Sequence, residues 1–425
     1  MRRCILFAVA AALLLLCSCG LIPTGSHPVT PIDNEPIRNV PDVDVPQYTL
    51  TLVDGHVVAD VDYVVNLDVS GKEEVRILNF ADIHLSNENI ANEEMIGDFR
   101  DTVDYLISQA DPDLITLTGD QIPSGERKAF EYMGDMINSY GIPWAPVYGN
   151  HDCEGHGGGL DLHDQSELYR SYSNCLYKDG PQGLNRIYNT GEDSLGHYVI
   201  NLVKIEGGEF KVIRSLIFIN SGADEHYDAA DYPGQRRYAD FNYACLNRNQ
   251  IEWYLQMARS VQQYGEDGQV PCGIIMHMAS FGYVYAASAA FDFPYDIYDT
   301  LGWKLYGKLT PYSQSLGTSI WNKGYESSYG TMHEEICGPP YDEGMFSAMK
   351  ESGCTDFIIV GHDHVNNFNI KYQGINFVYA MKTGRFSYHA SQMMGGTLIT
   401  VSSDGKASFD NIRIPYLLDM VFSDT

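Results

Sequence analysis

Short apolar runs and amphipathic stretches alternate along the chain from residue 75 onward. The apolar runs, which predict strands, lie at 75–80, 114–117, 144–148, 215–220, 273–276 and 357–360. The stretches with helical spacing of apolar residues lie at 93–109, 130–139 and 249–263. This alternation predicts a layered α/β domain. Three later runs, at 376–380, 396–401 and 407–412, have no helices between them and predict an antiparallel addition to the sheet.

Two different patterns precede this alternation. Residues 20–47 are rich in proline and predict an extended tether. Residues 48–74 begin with an alternating pattern around Asp54-Gly55, which predicts a β-hairpin. The pattern fits a small separate module and packing on the main domain equally well.

The main domain is predicted to span residues 75–415, and residues 416–425 would form a short tail. Within it, the segment 279–350 breaks the alternation and is rich in Tyr, Gly and Pro. Long irregular segments inside a domain are usually functional. We therefore expect an insertion that borders the functional site.

The pattern of residues 1–19 is typical of an export signal. Two arginines precede an apolar run at 5–16. This run is shorter than a typical membrane-spanning helix. It ends in Leu16-Cys17-Ser18-Cys19-Gly20, which resembles a bacterial lipobox with Cys19 as the lipidated residue. The alternative is an ordinary signal peptide. Either pattern predicts an extracytoplasmic protein, attached to a membrane by its N-terminal lipid only or else secreted.

Composition narrows the class of protein. The 425 residues are 44% hydrophobic and 20% charged, which suits one large or two ordinary globular domains. The formal net charge of −29 disfavours nucleic acid as a scaffold partner, because phosphate backbones would repel such a chain. Six cysteines follow the N-terminal region, and their pairing cannot be read from the sequence. Among these, Cys272 and Cys354 fit buried thiols as well as disulfides.

Potential metal ligands stand at or just after the ends of five predicted strands. In order they are Asp82-Ile83-His84, Gly119-Asp120, Gly149-Asn150-His151-Asp152, Met276-His277 and Gly361-His362-Asp363-His364. Singly, each fits a helix cap, a turn or a surface histidine. Together they favour convergence, because ligands of open α/β sheets bind at the carboxyl ends of the strands.

The donor types indicate which cations would bind. Carboxylate, imidazole and amide oxygen donors suit Mn, Fe, Zn or Co better than Ca²⁺. Two dications a few ångströms apart repel each other, so a carboxylate must lie between them. Such a pair would lower the pKa of a shared water and clamp the oxygens of a phosphoryl group.

This ordered series resembles the calcineurin-like metallophosphoesterase superfamily over residues 75–415. The resemblance implies an α/β/β/α sandwich with mixed sheets and two divalent transition metal ions (Mn, Fe or Zn). It implies that Asp82, His84, Asp120 and His364 hold the first metal, and that Asp120, Asn150, His277 and His362 hold the second. Asp120 would bridge the ions. His151 would stand beside the leaving group as an acid or a phosphate-contacting cation, with Asp152 as a candidate to orient its ring.

The segment 361–368, followed by Lys382-Thr383-Gly384, resembles the branch related to purple acid phosphatases. Two positions depart from that branch: Pro123 stands where the purple enzymes have a metal-bound tyrosine, and His84 stands where they have glycine. The departures disfavour a ferric-tyrosinate centre. Arg385 is the candidate substrate cation, because a guanidinium suits phosphate.

The resulting hypothesis is an extracytoplasmic hydrolase of small phosphate esters, preferably monoesters, with a metal-bridging hydroxide as nucleophile. A phosphodiesterase acting on nucleotides, glycerophosphodiesters or wall polymers is the alternative, for which aromatic residues of the insertion could stack on a base or sugar. A noncatalytic surface-binding lipoprotein is the alternative from another class. The oligomeric state cannot be read from the sequence.

Overall fold

The computed structural model describes most of the chain after the predicted tether. It covers residues 47–154, 159–181, 184, 195–223, 243–244, 246–291, 328–332, 334, 336–339 and 342–415. The predicted export signal with Cys19, the tether up to residue 46, residues 292–327 of the predicted insertion and the predicted tail lie outside the described residues.

Strands and helices alternate through the described part. The strands are β1 (Leu50–Val53), β2 (His56–Ala59), β3 (Val64–Asp68), β4 (Glu74–Phe80), β5 (Leu114–Thr118), β6 (Trp144–Val147), β7 (Tyr198–Glu206), β8 (Glu209–Phe218), β9 (Cys272–Ile275), β10 (Thr355–Val360), β11 (Asn369–Tyr372), β12 (Ile375–Tyr379), β13 (Gly395–Ser402) and β14 (Ala407–Arg413). The helices are α1 (Asn87–Ala91), α2 (Glu93–Ala110), α3 (Arg127–Ser139), α4 (Leu162–Ser171), α5 (Arg248–Val261), α6 (Gly282–Phe291) and α7 (Met345–Ser352). Short 3₁₀ turns lie at Pro123–Gly125, His151–Cys153, Gln262–Tyr264 and Ser391–Met393.

The strands form two mixed sheets and the N-terminal hairpin. One sheet has the order β14-β13-β4-β5-β6, with β4, β5 and β6 parallel. The other has the order β11-β12-β10-β9-β8-β7-β3, in which β8, β9, β10 and β12 run parallel. The remaining strands add antiparallel pairs, apart from β3, which runs parallel to β7.

The two sheets contact each other between outer layers of helices. The Tyr198 hydroxyl in β7 donates to the Pro146 carbonyl in β6 at 2.6 Å. The rings of Phe357 in β10 and Phe409 in β14 are 5.2 Å apart. Helix α2 packs on β4, β13 and β14, whereas α5 packs on β8 and α7 on β10. This arrangement confirms the predicted α/β/β/α sandwich with mixed sheets.

Local sequence explains where the long helix α2 begins and which face it buries. The Asn92 side chain accepts hydrogen bonds from the backbone N–H groups of the first turn, as a good N-cap does. The buried residues recur at helical spacing and include Phe99, Val103 and Leu106. Asp111 ends the helix in the left-handed conformation, at φ 44°. The helix therefore covers one face of the sheet that carries β4 and β5.

The predicted hairpin at Asp54-Gly55 is confirmed. Both turn residues have positive φ, 50° and 83°, as a two-residue hairpin turn requires. The Leu50 amide donates to the Tyr264 hydroxyl at 2.8 Å, so the hairpin packs on the main body. The following strand β3 then joins the larger sheet beside β7.

Some predicted elements differ from the structure. Strand β12 lies between β10 and β11. It pairs antiparallel with β11 but parallel with β10, so the prediction of a purely antiparallel addition at 376–380 was wrong. Strands β13 and β14 are antiparallel as predicted. Strands β7 and β11 and helices α1, α4, α6 and α7 were not predicted. Helix α6 and most of α7 lie in the segment 279–350, which was predicted to be irregular. Among the described residues, no helix is both long and apolar enough to cross a membrane.

Candidate metal centre

Side chains from both sheets meet at the carboxyl ends of their parallel strands. Asp82 and His84 follow β4, Asp120 follows β5, and Asn150 and His151 follow β6. On the other sheet, His277 follows β9, and His362 and His364 follow β10. The fold therefore brings five sequence-distant loops to one edge, where ligands of α/β sheets bind.

The first donor group comprises Asp82, His84, Asp120 and His364, all buried, with ligand atoms within 4.8 Å of one another. The Nε2 atom of His84 lies 3.1 Å from Nε2 of His364 and 3.4 Å from Oδ2 of Asp120. The His364 Nε2 atom lies 3.7 Å from Oδ1 of Asp82. These four side chains are the ones that the resemblance assigns to the first metal.

The second donor group comprises Asp120, His277, His362 and Asn150. The carboxylate and the two imidazoles again lie within 4.8 Å of one another and are buried. The His277 Nε2 atom is 3.3 Å from Asp120 Oδ2 and 3.1 Å from Asn150 Oδ1. Asp120 belongs to both groups, so its carboxylate lies between them.

Hydrogen bonds leave the right atoms available for cations. The Asp120 Oδ2 and His362 Nε2 atoms are buried without a hydrogen-bond partner. His364 Nδ1 lies 2.9 Å from the Tyr388 carbonyl, which accepts its N–H and leaves the Nε2 lone pair directed at the cluster. Buried polar atoms are rarely left without a hydrogen bond. The unpaired Asp120 Oδ2 and His362 Nε2 atoms therefore fit a role as metal ligands.

The histidines differ in charge. Burial lowers the pKa of His84 to about 4 and those of His362 and His364 well below their usual range, which keeps these imidazoles neutral, as metal ligands must be. Burial acts in the same direction on His277, but Asp120 outweighs it and raises the His277 pKa to about 9. Metal binding at His277 would therefore release a proton.

Left-handed backbone positions shape the loops that carry the ligands. The φ angles of Asp82, His84, Asp120 and His362 are 53°, 55°, 55° and 75°. Non-glycine residues hold such angles at a cost, and they cluster at functional sites. Gly149 is required by close approach, because a Cβ there would lie 2.1 Å from Asp120 Oδ1.

Asp152 supports the loop of the shared carboxylate. Its side chain accepts the backbone N–H groups of Gly149, Asp120 and Ile122 at 2.8, 2.8 and 2.9 Å. The expectation that Asp152 orients the His151 ring was wrong, because its carboxylate is directed at these three amides.

Glu154 contacts the His151 ring instead, with its Oε1 atom 2.8 Å from His151 Nδ1. The His151 side chain is 40% exposed, and its ring centroid lies 5.2 Å from that of His84. Burial would lower the pKa of His151, but the Asp120 and Glu154 carboxylates outweigh it and raise that pKa. His151 is thus a partly open group at the rim of the cluster, with its protonated form favoured by the two carboxylates.

Lys382 lies beneath the first donor group. Its side chain is buried and its ammonium donates to the Asp82 carbonyl at 2.6 Å. Burial lowers its pKa to about 8. The neighbouring Thr383 amide donates to the Ala81 carbonyl at 2.8 Å. The Lys382-Thr383 segment therefore supports the loop that carries Asp82, a contact between residues 300 positions apart.

Arg385 is engaged away from the donor atoms. Its Nη1 atom donates to Asp98 Oδ2 at 3.0 Å, and the side chain is 29% exposed. The structure therefore ties this residue to helix α2. It shows no contact of the guanidinium with the metal-ligand side chains of either donor group within the described residues.

Two tyrosines outside the predicted insertion contact the ligand histidines. Tyr388 is 59% exposed as a residue, and its ring stacks on that of His364 with the centroids 4.1 Å apart. The Tyr243 ring meets His362 edge-on at 4.4 Å. By contrast, Tyr283 and Tyr285 of the insertion are buried and donate to groups within the fold. Tyr295, Trp303 and Trp321 lie outside the described residues.

The described part of the insertion contacts the loop of His362 and His364. The Cys337 amide donates to Asp363 at 3.1 Å, and the Val365 amide donates to Glu334 at 2.9 Å. The insertion therefore borders the donor cluster on the side of β10.

Comparison with known proteins agrees with this geometry. The family model described as calcineurin-like phosphoesterase matches residues 75–256, so this part of the chain is similar to calcineurin-like phosphoesterases. The predicted resemblance is thereby confirmed. Of the donor residues, Asp82, His84, Asp120 and Asn150 lie within the matched residues.

Two curated relatives come from Arabidopsis thaliana. "Probable inactive purple acid phosphatase 14" is 24% identical over 296 residues, covering 68% of this chain and 62% of the relative. "Probable inactive purple acid phosphatase 28" is 26% identical over 296 residues, covering 67% and 61%. The chain thus spans about three fifths of the length of these two relatives.

Among solved structures, a dimetal phosphatase from Danio rerio covers 79% of this chain and 98% of that chain, at 11% identity and a TM-score of 0.39. A likeness this weak carries no argument about activity.

Proposed function

We propose that this protein hydrolyses phosphate esters with two divalent transition metal ions, of Mn, Fe or Zn type, and prefers monoesters. The observation that carries the proposal is the position of Asp120 Oδ2. This buried atom has no hydrogen-bond partner and lies 3.4 Å from His84 Nε2 and 3.3 Å from His277 Nε2. A carboxylate between two imidazole-rich donor groups suits a pair of ions that share one ligand.

Two bound ions would supply an activated water and the positive charge that a phosphoryl group needs. The first donor group, Asp82, His84, Asp120 and His364, would hold one ion, and the second group the other. Burial keeps three of the four imidazoles in the neutral form that binds metal. Because the chain carries a net charge of −29, these ions would also give the site the local positive field that an anionic substrate requires.

His151 would protonate the departing alcohol. Its ring is partly exposed beside His84, and the Glu154 carboxylate at Nδ1 holds its orientation, so Nε2 is free to face a substrate. The raised pKa of this histidine favours its protonated form, which a proton donor requires. The Tyr388 ring, which stacks on His364 of the first donor group, offers an apolar surface for the alcohol portion of the substrate.

The word "inactive" in the names of the relatives motivates a direct test of turnover. In this chain, two carboxylates, four imidazoles and one amide oxygen are assembled at the site. That set supports an active enzyme over a noncatalytic surface-binding protein.

The test is a substrate panel with Mn²⁺, Zn²⁺ and Fe²⁺ on the full chain, with monoester and diester substrates run side by side. Asp120→Asn, which keeps the side-chain volume, is the inactive variant, and Asp404→Asn on an exposed turn is its matched control. We expect metal-dependent monoester hydrolysis that Asp120→Asn abolishes and Asp404→Asn retains. Faster diester hydrolysis would favour the phosphodiesterase alternative. Metal binding without turnover of any substrate would refute the enzyme proposal.

We further propose that the protein acts outside the cytoplasm as a lipoprotein. The support is the pattern of residues 1–19, with arginines, an apolar run and Cys19 in a lipobox-like string. To test lipidation of Cys19, bacterial cells that express the chain are grown with a radioactive fatty acid, and the label on the protein is measured. We expect label on the wild-type chain and none on Cys19→Ala, whereas equal label on both would exclude Cys19 as the lipidated residue.

A further inference from the structure

We propose that Cys272 and Cys354 form a disulfide bond in the folded protein under oxidising conditions. This cross-link would join β9 and β10, the two neighbouring strands of the larger sheet that carry His277 and His362 at their other ends. The inference does not depend on the proposed function.

The two thiols face each other across adjacent parallel strands. Their Sγ atoms are 3.6 Å apart, and the Cys272 amide donates to the Cys354 carbonyl at 2.9 Å. Cys272 begins β9 and pairs with Thr355, the residue after Cys354. Because a disulfide sulfur–sulfur distance is about 2.05 Å, bond formation needs the sulfurs to approach by roughly 1.5 Å, which side-chain rotation can supply.

The surroundings assign different roles to the two thiols. Cys354 is partly exposed, whereas Cys272 is buried. The hydrogen bond with Cys272 lowers the pKa of Cys354 to about 7, and the same contact together with burial raises that of Cys272. Cys354 is therefore the nucleophile that an external disulfide can reach.

Cys175 shows the contrasting case. Burial raises the pKa of this thiol well above its ordinary range, and no thiol partner is recorded beside it within the described residues. It is therefore the matched control for the pair.

The reaction with a small disulfide such as oxidised glutathione balances as thiol–disulfide exchange. The Cys354 thiolate attacks one sulfur of the reagent, forming a mixed disulfide and releasing one glutathione thiolate. The Cys272 thiolate then attacks the Cys354 sulfur and displaces the second glutathione thiolate. The two protons lost by the cysteines protonate the two glutathione thiolates, so the protein pair is oxidised as the reagent is reduced.

The consequence is a closed loop that contains the whole predicted insertion, because residues 279–350 lie between the two cysteines. Cross-linking such a long loop stabilises mainly by restricting the unfolded chain. The bond lies at the ends of β9 and β10 opposite the metal ligands. We expect it to raise the melting temperature by about 5 °C.

Peptide mapping tests the proposal on the full chain. Reduced protein is equilibrated in excess oxidised glutathione, both as the native protein and during refolding, and then alkylated and cleaved with trypsin. Cleavage after Arg259, Lys304, Lys350 and Lys371 places the two cysteines in separate peptides. We expect one linked peptide pair that disappears on reduction.

The variants Cys272→Ala and Cys354→Ser should lose both the linked pair and the oxidant-dependent rise in melting temperature, and Cys175→Ala should retain both. Full alkylation of Cys272 and Cys354 in both the native and the refolded samples would overturn the proposal, as would their linkage to other cysteines instead of to each other.

Discussion

The two donor groups share Asp120 but are held by different parts of the molecule. In the second group, His277 is fully buried and its Nδ1 atom lies 2.7 Å from the Thr118 carbonyl at the end of β5. In the first group, the His364 Nδ1 atom lies 2.9 Å from the carbonyl of Tyr388, a residue that is 59% exposed. A strand end therefore fixes one histidine, and a surface loop fixes the other.

This difference predicts that the second group is the more rigid half of the centre and the first group the more adjustable half. Hydrogen bonds to a ligand histidine set its tautomer and orientation, and hence its affinity for metal. We therefore expect the second group to hold its ion more tightly than the first. The shared carboxylate connects the two halves, so changing it should have a larger effect than changing any residue that belongs to one half.

The largest effect is expected for Asp120→Asn. The amide keeps the volume but loses the charge that both ions require, so kcat for monoester hydrolysis should fall by more than about a thousand-fold, beyond the roughly 10² to 10³ lost with a single oxyanion donor. Steady-state kinetics measures this, with circular dichroism to verify folding. Wild-type kcat in the folded variant would refute the bridging role.

His151→Ala should reduce kcat by about several hundred-fold, because general acid assistance contributes roughly 10² to 10⁴. Metal content should stay at the wild-type level, since the ring belongs to neither donor group. Glu154→Gln should have a milder effect of the same kind, because it alters only the partner of Nδ1. If His151→Ala instead loses an ion, His151 is a ligand and the assigned role is wrong.

Lys382→Met tests the support beneath the first group. The substitution removes the ammonium that donates to the Asp82 carbonyl while keeping a long side chain. Partners that orient metal ligands contribute about 10- to 100-fold to metal affinity, so we predict a loss of that size at the first group. Titration with Mn²⁺ followed by calorimetry measures it. The exposed Lys406→Met is the control, and equal affinities for the two variants would exclude this supporting role.

Removal of metal by a chelator should resolve the two halves. We predict biphasic release, with the first group losing its ion about tenfold faster than the second, which corresponds to about 1.4 kcal/mol. Release can be followed with a colorimetric metal indicator. Release of both ions in a single phase would contradict the predicted difference in metal affinity between the two donor groups.

Tyr388→Leu should have the smallest effect. Loss of the ring that stacks on His364 should speed only the fast release phase, by a few-fold, because such ring contacts contribute about 0.5 to 1.5 kcal/mol. Tyr105→Leu on helix α2 serves as the control. If the substitution accelerates the slow phase instead, Tyr388 supports the second donor group and its assignment to the first group is wrong.

The sequence was sufficient for features whose signals are local. Apolar runs located β4, β5, β6, β9 and β10, and ligands directly after strand ends had to share one edge of the sheets. The hairpin at Asp54-Gly55 was readable because only a few residue types tolerate positive φ there.

Features that depend on distant contacts were not predicted. Lys382 reaches Asp82 across 300 positions, and nothing near Lys382 in the sequence indicates this contact. Tyr388 likewise meets His364 only through the folded loop. The parallel pairing of β12 with β10 depends on the β11–β12 hairpin folding back, which periodicity does not reveal. By contrast, β7 had a usable signal, since Gly207 and Gly208 form the turn between two alternating runs.

The central claim is that two ions share the Asp120 carboxylate, and elemental analysis by mass spectrometry tests it most directly. Wild-type protein and Asp120→Asn are each saturated with Mn²⁺, freed of excess metal by gel filtration and analysed for metal per chain. The shared carboxylate predicts about two equivalents in the wild type and at most one in the variant. Two equivalents in both proteins, or no more than one in the wild type, would contradict it.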